Sequence, residues 1–172
     1  NKMKIKLTKK EMHECQILGQ DTVKICKMQK LQPRLDTSDE NRVLSNVQGY
    51  RAEYAVAKVF GCTLPTFNIV TDGGVDLWID DLSVDVKLTK KPAGDLIFDD
   101  FIKFNSDIAI LVATTNDDSV YDIIGWIDRH SFEAKAKDMD YGYGPRKVVE
   151  SKKLTPIETL WKEVVDSRFG PD

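Results

Sequence analysis

The sequence predicts an α/β protein of one domain, in which helices flank a central mixed β-sheet. Apolar residues recur at helical spacing near both ends of the chain, whereas between residues 75 and 127 the period changes to two, which is typical of strands. No stretch rich in Pro, Gly or Ser divides the 172 residues. A chain of this length fits one compact domain with a buried core.

Two helices are predicted in the first part of the chain. The first covers residues 8–31, because Thr8-Lys9-Lys10-Glu11 is a capping-box pattern and Pro33 prevents continuation. The polar residues 36–41 are predicted to form a loop. The second helix is predicted over Val47–Phe60, where apolar residues recur at helical spacing and Gly61 supplies a stop signal.

A last helix is predicted over residues 155–166, with Thr155 as the N-cap and Pro156 at the first helical position. Its apolar face comprises Ile157, Leu160, Trp161, Val164 and Val165. Strands are predicted at Val75–Ile79, Leu82–Lys87, Asp107–Ala113 and Tyr121–Ile127. Helical segments are predicted near Asp99–Phe104 and Ser131–Lys137, and a loop at Tyr141–Pro145.

The charges are distributed unevenly along the chain. The formal net charge is −3, yet residues 1–30 contain eight lysines and only three acidic residues. Such a basic segment is typical of a nucleic-acid contact and equally of a solvated helix face.

The cysteines Cys15, Cys26 and Cys62 have no paired spacing, which fits a reducing compartment better than a disulfide framework. His13 and Cys15 lack a second pair of ligands, so a zinc site is not expected. The sequence has no signal-peptide pattern and no apolar run of about 20 residues. A cytoplasmic protein without a membrane partner is therefore expected.

A hairpin is predicted where the first two strands join through Asp80 and Asp81. In that register, alternate apolar residues line one face toward the core. The opposite face carries Asp76 directly across from Asp85, with Lys87 on the same side. An ordinary amphipathic hairpin with an exposed salt bridge is the alternative that the spacing leaves open.

Two carboxylates in cross-strand opposition repel each other, so a bound cation is the natural compensation. Mg²⁺ suits this role, because it prefers oxygen ligands and is commonly held by one or two carboxylates with waters and phosphate oxygens. Beside such an ion, Lys87 would assist an attacking water or stabilise developing charge. The pattern predicts phosphodiester hydrolysis with Mg²⁺, for which Mn²⁺ is expected to substitute.

These residues resemble the PD-(D/E)XK nuclease superfamily, whose core has a helix carrying a glutamate, then a hairpin with Asp followed by (D/E)-X-K. Gly74–Leu77 and Asp85–Lys87 match the hairpin motif. Gly49–Ala57 looks like the upstream helix of Holliday-junction resolvases and small phage nucleases. The resemblance covers residues 46–127, and Val75 replaces the proline that often precedes the first acid.

The resemblance implies a restriction-endonuclease-like core and a Mg²⁺-dependent nuclease, with DNA preferred by analogy, in a bacterium or a phage-infected host cell. Junction resolution, restriction-like cutting, exonucleolytic trimming and nicking all remain open. A homodimer is left open. In this superfamily the two acids and the helix glutamate hold the metal and the lysine assists the water. These roles carry over to Asp76, Asp85, Glu53 and Lys87. Candidate nucleic-acid contacts are Gln48, Arg51, Lys90, Arg146 and Lys147, and Ser83 is a candidate near the scissile bond.

Other assignments remain open at this point. Asp72 could replace Asp76 as a ligand, although Asp72-Gly73-Gly74 is more typical of a turn. The chain could also be a catalytically inactive module of the same fold that binds nucleic acid or protein. An enzyme acting on another phosphate ester is not favoured, since the sequence has no Gly-rich phosphate-binding loop.

Overall fold

In the part of the chain that the structure describes, four helices and eight strands form a mixed α/β domain. The computed structural model describes residues 2–28, 38–63, 75–91 and 93–170. In chain order the elements are β1 (Met3–Lys6), α1 (Lys9–Met28), α2 (Asp39–Phe60), β2 (Leu77–Ile79), β3 (Leu82–Thr89), β4 (Leu96–Phe98), a 3₁₀ turn (Phe101–Lys103), β5 (Ile108–Thr114), β6 (Val120–Asp128), α3 (Arg129–Lys135), β7 (Lys137–Asp140), β8 (Pro145–Val149), a second 3₁₀ turn (Ser151–Lys153) and α4 (Ile157–Phe169).

The main sheet has five strands in the order β1-β6-β5-β3-β2. Strands β3 and β5 are parallel, whereas the other neighbouring pairs are antiparallel, so the sheet is mixed as predicted. A smaller antiparallel sheet has the order β4-β8-β7. Strand β2 lies at one edge of the main sheet and β1 at the other.

Each face of the main sheet has its own hydrophobic core. On one face, α1, α2 and α4 pack against residues such as Val84 and Ile110. On the other face, Phe98, Phe104 and Phe132 pack over Leu111. Because β5 is buried on both faces, its sequence is a continuous apolar run rather than an alternating one.

The capping box predicted at the first helix is confirmed. Thr8 Oγ1 accepts a hydrogen bond from Glu11 N at 3.1 Å, and Glu11 Oε1 accepts one from Thr8 N at 2.8 Å. Helix α1 is described to Met28, and the predicted residues beyond it, together with Pro33, lie outside the described residues. A side chain at Gly19 would approach Val47 Cγ2 to 2.4 Å, so this glycine allows α1 and α2 to pack closely.

Helix α2 begins earlier than predicted. The Ser38 side chain accepts a hydrogen bond from Asn41 N at 3.2 Å and caps the helix, which begins at Asp39. The prediction of a loop over residues 36–41 is therefore wrong for its last three positions. Gly61 ends the helix at φ 64°, as its sequence signal indicated.

The start of the last helix also differs from the prediction. The backbone of Thr155 pairs with Trp126 through two hydrogen bonds of 2.9 Å, so Thr155 cannot cap the helix, which begins at Ile157. Ile157, Leu160 and Val164 are buried, but Trp161 is exposed, and its assignment to the apolar face is wrong.

The main strands were predicted to within about two residues, but β1, β4, β7 and β8 were not predicted. The residues of β7 are all exposed, so no alternation marks it as a strand. The helix predicted at Ser131–Lys137 is α3, which ends at Lys135, and residues 141–144 form the turn between β7 and β8. The helical segment predicted near Asp99–Phe104 is a single 3₁₀ turn.

Candidate active site

The hairpin of β2 and β3 has the predicted register. Leu77 pairs with Val84, and Ile79 pairs with Leu82. The turn is made by two residues, and Asp80 adopts a left-handed conformation with φ 53°, which Asp tolerates better than most residues. The first strand is shorter than predicted, because pairing begins at Leu77 and not at Val75.

Asp76 lies immediately before β2, where its side chain completes the ladder to β3. Its backbone N donates to Val84 O at 2.8 Å, and its Oδ2 accepts from Val86 N at 2.8 Å. The carboxylate thus takes the place of a backbone carbonyl at the edge of the sheet. Hydrogen bonds to Val84 and Val86, the two neighbours of Asp85 in β3, therefore fix the position of Asp76.

Asp85 is buried within β3 with only 4% of its surface exposed. The pKa of Asp85 is raised to about 7, mainly because burial disfavours the charged form, and the negative charge of Asp76 contributes to the rise. Lys87 opposes this rise, since its Nζ lies 3.5 Å from Asp85 Oδ1. Asp85 is therefore a buried carboxylate beside a second carboxylate and a single ammonium group.

The Lys87 ammonium group also contacts an aromatic ring. Its Nζ lies 4.7 Å from the centroid of the Phe98 ring, in the range of a cation–π contact. Phe98 in turn stacks on Phe104 at 4.7 Å between ring centroids. The ammonium group is thus placed between the Asp85 carboxylate and a ring that is packed in the second core. The sequence carried no signal for this role of Phe98.

Helix α2 runs alongside the hairpin and brings Glu53 to the level of Asp76. The C-terminal end of α2 lies beside the hairpin turn, as the surroundings of Cys62 indicate. Burial raises the pKa of the Cys62 thiol, the charge of Arg168 lowers it, and the charge of Asp80 in the turn raises it. Glu53 precedes Phe60, the last residue of α2, by seven positions, which is about 10 Å at about 1.5 Å per helical residue. Asp76 precedes Ile79, the last residue of β2, by three positions, which is also about 10 Å along a strand.

The hydroxyl of Tyr50 supports this placement of Glu53. Burial is the main cause that raises the pKa of Tyr50, and the negative charges of both Glu53 and Asp76 raise it further. Among the described residues, however, no group of three or more His, Cys, Asp or Glu side chains is arranged to hold a metal ion. The structure therefore brings Asp76, Asp85 and Lys87 together, with Glu53 near them rather than in a three-carboxylate centre.

The donor set at the hairpin fits Mg²⁺. Asp76 and Asp85 offer carboxylate oxygens, and Mg²⁺ is commonly held by one or two carboxylates while it keeps several waters. Two neighbouring carboxylates with one lysine carry more negative than positive charge, and burial, the main cause of the raised pKa of Asp85, makes this charge costly. A divalent cation would offset it.

Gln48 and Arg51, two candidate phosphate contacts, have buried polar atoms, and Arg51 reaches a strand away from the hairpin. Gln48 Oε1 and Arg51 Nε are buried without a hydrogen-bond partner in the described part of the chain. Arg51 hydrogen-bonds Tyr121, where it opposes the rise that burial causes in the pKa of that phenol. Tyr121 pairs with Thr114 on β5, five positions beyond Ala109, the partner of Asp85, which is about 17 Å.

The three remaining candidate contacts, Lys90, Arg146 and Lys147, differ in their surroundings. Lys90 is exposed just after β3. Lys147 pairs with Phe98 across β4 and β8, and its Nζ contacts Asp138 Oδ1 at 2.6 Å. Arg146 Nε lies 3.7 Å from Asp99 Oδ1. These two side chains thus reach acidic neighbours on the smaller sheet.

The basic segment lies partly at the far edge of the sheet. Lys4 and Lys6 are exposed on β1, three strand spacings from β3, which is about 14 Å. None of the helices in the described ranges combines the length and the apolar character that crossing a membrane requires.

Ser83 has a structural role that the sequence did not reveal. Its Oγ accepts a hydrogen bond from Asp107 N at 2.8 Å, and its N donates to Asp107 Oδ2 at 2.9 Å. These reciprocal bonds fix the start of β5 against β3. The alternation of β3 placed Ser83 on the same face as Asp85, but a partner 24 positions away left no local signal.

Comparisons of the chain with protein family models, with curated proteins and with solved structures found no match. Gly74 of the hairpin motif and Asp72, the alternative ligand, lie outside the described residues.

Proposed function

We propose that this chain is a metal-dependent nuclease that hydrolyses phosphodiester bonds of DNA on a restriction-endonuclease-like core. The observation that carries the proposal is the burial of Asp85 beside Asp76 and within 3.5 Å of the Lys87 ammonium. Asp76 and Asp85 would hold Mg²⁺ or Mn²⁺, and Glu53 would extend the site from α2.

The arrangement is costly for a residue with only a structural role. A buried carboxylate next to a like charge destabilises the folded state unless a cation compensates it. An apolar residue at position 85 would pack into β3 without this cost, as Val84 does. The cost is accounted for if the site binds a cation and a phosphate during function.

When bound, Mg²⁺ supplies Lewis-acid polarisation of a phosphoryl oxygen and positive charge near the leaving oxygen. The chain's own residues supply orientation and proton control. Val86 N fixes the Asp76 carboxylate, and the surrounding core fixes Asp85. The Lys87 ammonium, placed by Phe98, donates hydrogen bonds to the attacking water or to the phosphoryl oxygen that gains charge.

Cleavage of labelled linear, circular, single-stranded and branched DNA with Mg²⁺ or Mn²⁺ tests the proposal. We expect Asp85→Asn to abolish metal-dependent cleavage, because the neutral amide removes a ligand charge. Asp81→Asn is the matched control, since it makes the same change at an exposed position of the same hairpin. If no substrate is cut by the unaltered chain with either metal, or if Asp85→Asn cuts as fast as Asp81→Asn, the catalytic proposal fails.

A further inference from the structure

The edge strand β2 presents a tryptophan to solvent. Trp78 is 60% exposed, although its neighbours Leu77 and Ile79 are 4% and 0% exposed. Among the described residues no aromatic ring stacks on the Trp78 indole, whereas the Phe rings of the second core pack on one another. Trp126, by contrast, donates its indole N–H to Thr159. The Trp78 ring is therefore an accessible apolar surface.

The register places this ring beside the candidate active site. Trp78 pairs with Ser83, and directly opposed residues project from the same face of a sheet. Ser83, Asp85 and Lys87 alternate along β3 and so share that face, with about 7 Å between successive members. Because β2 is the edge of the main sheet, no further strand within the described ranges covers Trp78 on its outer side.

A nucleobase is the ligand that this position suits. An exposed indole stacks on the flat face of any base, and such a contact contributes about 1–3 kcal/mol per base. In a duplex the bases stack on each other and are not available to a side chain at the edge of a sheet. With only three residues, β2 offers too few backbone groups for the addition of a strand from another protein.

We propose that Trp78 stacks an unpaired base of a single-stranded nucleic acid whose phosphate lies at Asp76, Asp85 and Lys87. The inference rests on the proposed function, because that function defines where the phosphate lies. It adds the substrate class: a single-stranded segment is preferred over a continuous duplex.

Binding of a fluorescent 12-nucleotide oligo-dT, followed by anisotropy with Ca²⁺ in place of Mg²⁺, tests this inference, because Ca²⁺ also takes carboxylate oxygens and lets the phosphate approach Asp76 and Asp85. Gel analysis of the recovered oligo-dT checks that it is intact. We expect Trp78→Ala to weaken binding about 10-fold, and Trp78→Phe, which keeps a ring, to lose less. Trp161→Ala is the matched control, since Trp161 is 45% exposed on α4, seven positions before Arg168, the residue of that helix that contacts the hairpin turn. Binding of a fully paired duplex is expected to be the same for all the variants.

Equal binding of oligo-dT by the unaltered chain, Trp78→Ala and Trp161→Ala would overturn the inference, as would an equal loss of duplex binding in Trp78→Ala. Because Trp78 is exposed, urea midpoints close to that of the unaltered chain are expected for both of its variants. The two proposals fail separately. Cleavage that is unaffected by Trp78→Ala removes only the base contact, whereas Trp78-dependent binding by a chain that cuts nothing removes only the nuclease.

Discussion

Asp80 and Asp85 belong to the same hairpin and each lies beside a basic side chain, yet their environments are opposite. Asp80 is exposed at the turn, where Arg168 from α4 donates three hydrogen bonds of 2.9–3.2 Å. These bonds lower the pKa of Asp80. Asp85 is buried in β3, and burial raises its pKa to about 7 despite Lys87.

The difference shows that an ion pair alone does not distinguish a structural carboxylate from a functional one. The Arg168 guanidinium compensates the charge of Asp80 at a solvent-exposed position, and the pair joins α4 to the hairpin turn. Lys87 does not fully compensate Asp85, because burial raises the pKa of Asp85 more than Lys87 lowers it, and Asp76 adds a second negative charge. The uncompensated carboxylate is the one that we assign to cation binding.

The largest expected effect is a difference in cleavage rate between variants of the two basic residues, Lys87 and Arg168. Lys87→Ala should lower the cleavage rate on the order of 10²–10³-fold, because it removes a donor that stabilises charge developing on the phosphoryl group. Arg168→Ala should leave the rate within about 3-fold, since Arg168 contacts only the exposed turn. Single-turnover cleavage rates measure both. Equal losses in the two variants would show that the hairpin depends on α4 for its active geometry.

The second largest expected effect is the contribution of Asp85 to the pH dependence of the free energy of unfolding. The folded-state pKa of Asp85 lies above its ordinary value of 3.8, so the folded chain binds more protons between about pH 4 and pH 7. Its contribution therefore lowers the free energy of unfolding as the pH rises through this window. Each unit of pKa difference corresponds to about 1.4 kcal/mol, which gives a few kcal/mol at most.

Urea unfolding in EDTA at several pH values measures this effect. Asp85→Asn should be more stable than the unaltered chain at pH 8 and should approach it near pH 4. Asp81→Asn, the exposed control, should follow the unaltered chain. Parallel curves for the unaltered chain and Asp85→Asn would show that Asp85 titrates as an ordinary carboxylate.

Mg²⁺ should reverse part of this destabilisation. A cation that binds only the folded state raises the free energy of unfolding, by about 2.7 kcal/mol when its concentration is 100 times the dissociation constant. The gain should be present at pH 8 and absent from Asp85→Asn. Urea midpoints with and without Mg²⁺ test this, with Na⁺ at equal ionic strength as the control. A similar gain in Asp85→Asn would place the cation elsewhere.

The face of the hairpin on which each residue lies could be predicted from the sequence, because the alternation of apolar and polar residues is a local pattern. The apolar face through Leu77 and Val84 fixed the register, and the register fixed which acids share the other face. The burial of Asp85 could not be predicted in the same way. It depends on segments such as β4 and the residues around Asp107, which reach β3 from further along the chain.

Arg51 shows the opposite limit of sequence reasoning. Its place on the second helix, two positions before Glu53, led to the prediction of a phosphate contact, but residues two positions apart in a helix point in directions about 200° apart. Arg51 therefore extends to Tyr121 on β6, while the charge of Glu53 acts near Asp76 and Tyr50. Motif proximity in sequence did not give proximity in space.

The smallest expected effect is at Asp80. Because its folded-state pKa lies below the ordinary value of 3.8, its stabilising contribution is present above that pH and is lost as the pH falls through the lower folded-state value. Asp80→Asn keeps a residue that tolerates positive φ and removes only the charge. We expect a small decrease in the urea midpoint at pH 7, which is lost as the pH falls through the folded-state pKa of Asp80 and shrinks in high salt. Arg168→Gln should give the same decrease, and the double variant should add little, because both changes break one pair. A loss of cleavage in Asp80→Asn as large as in Asp85→Asn would instead make the turn part of the active site.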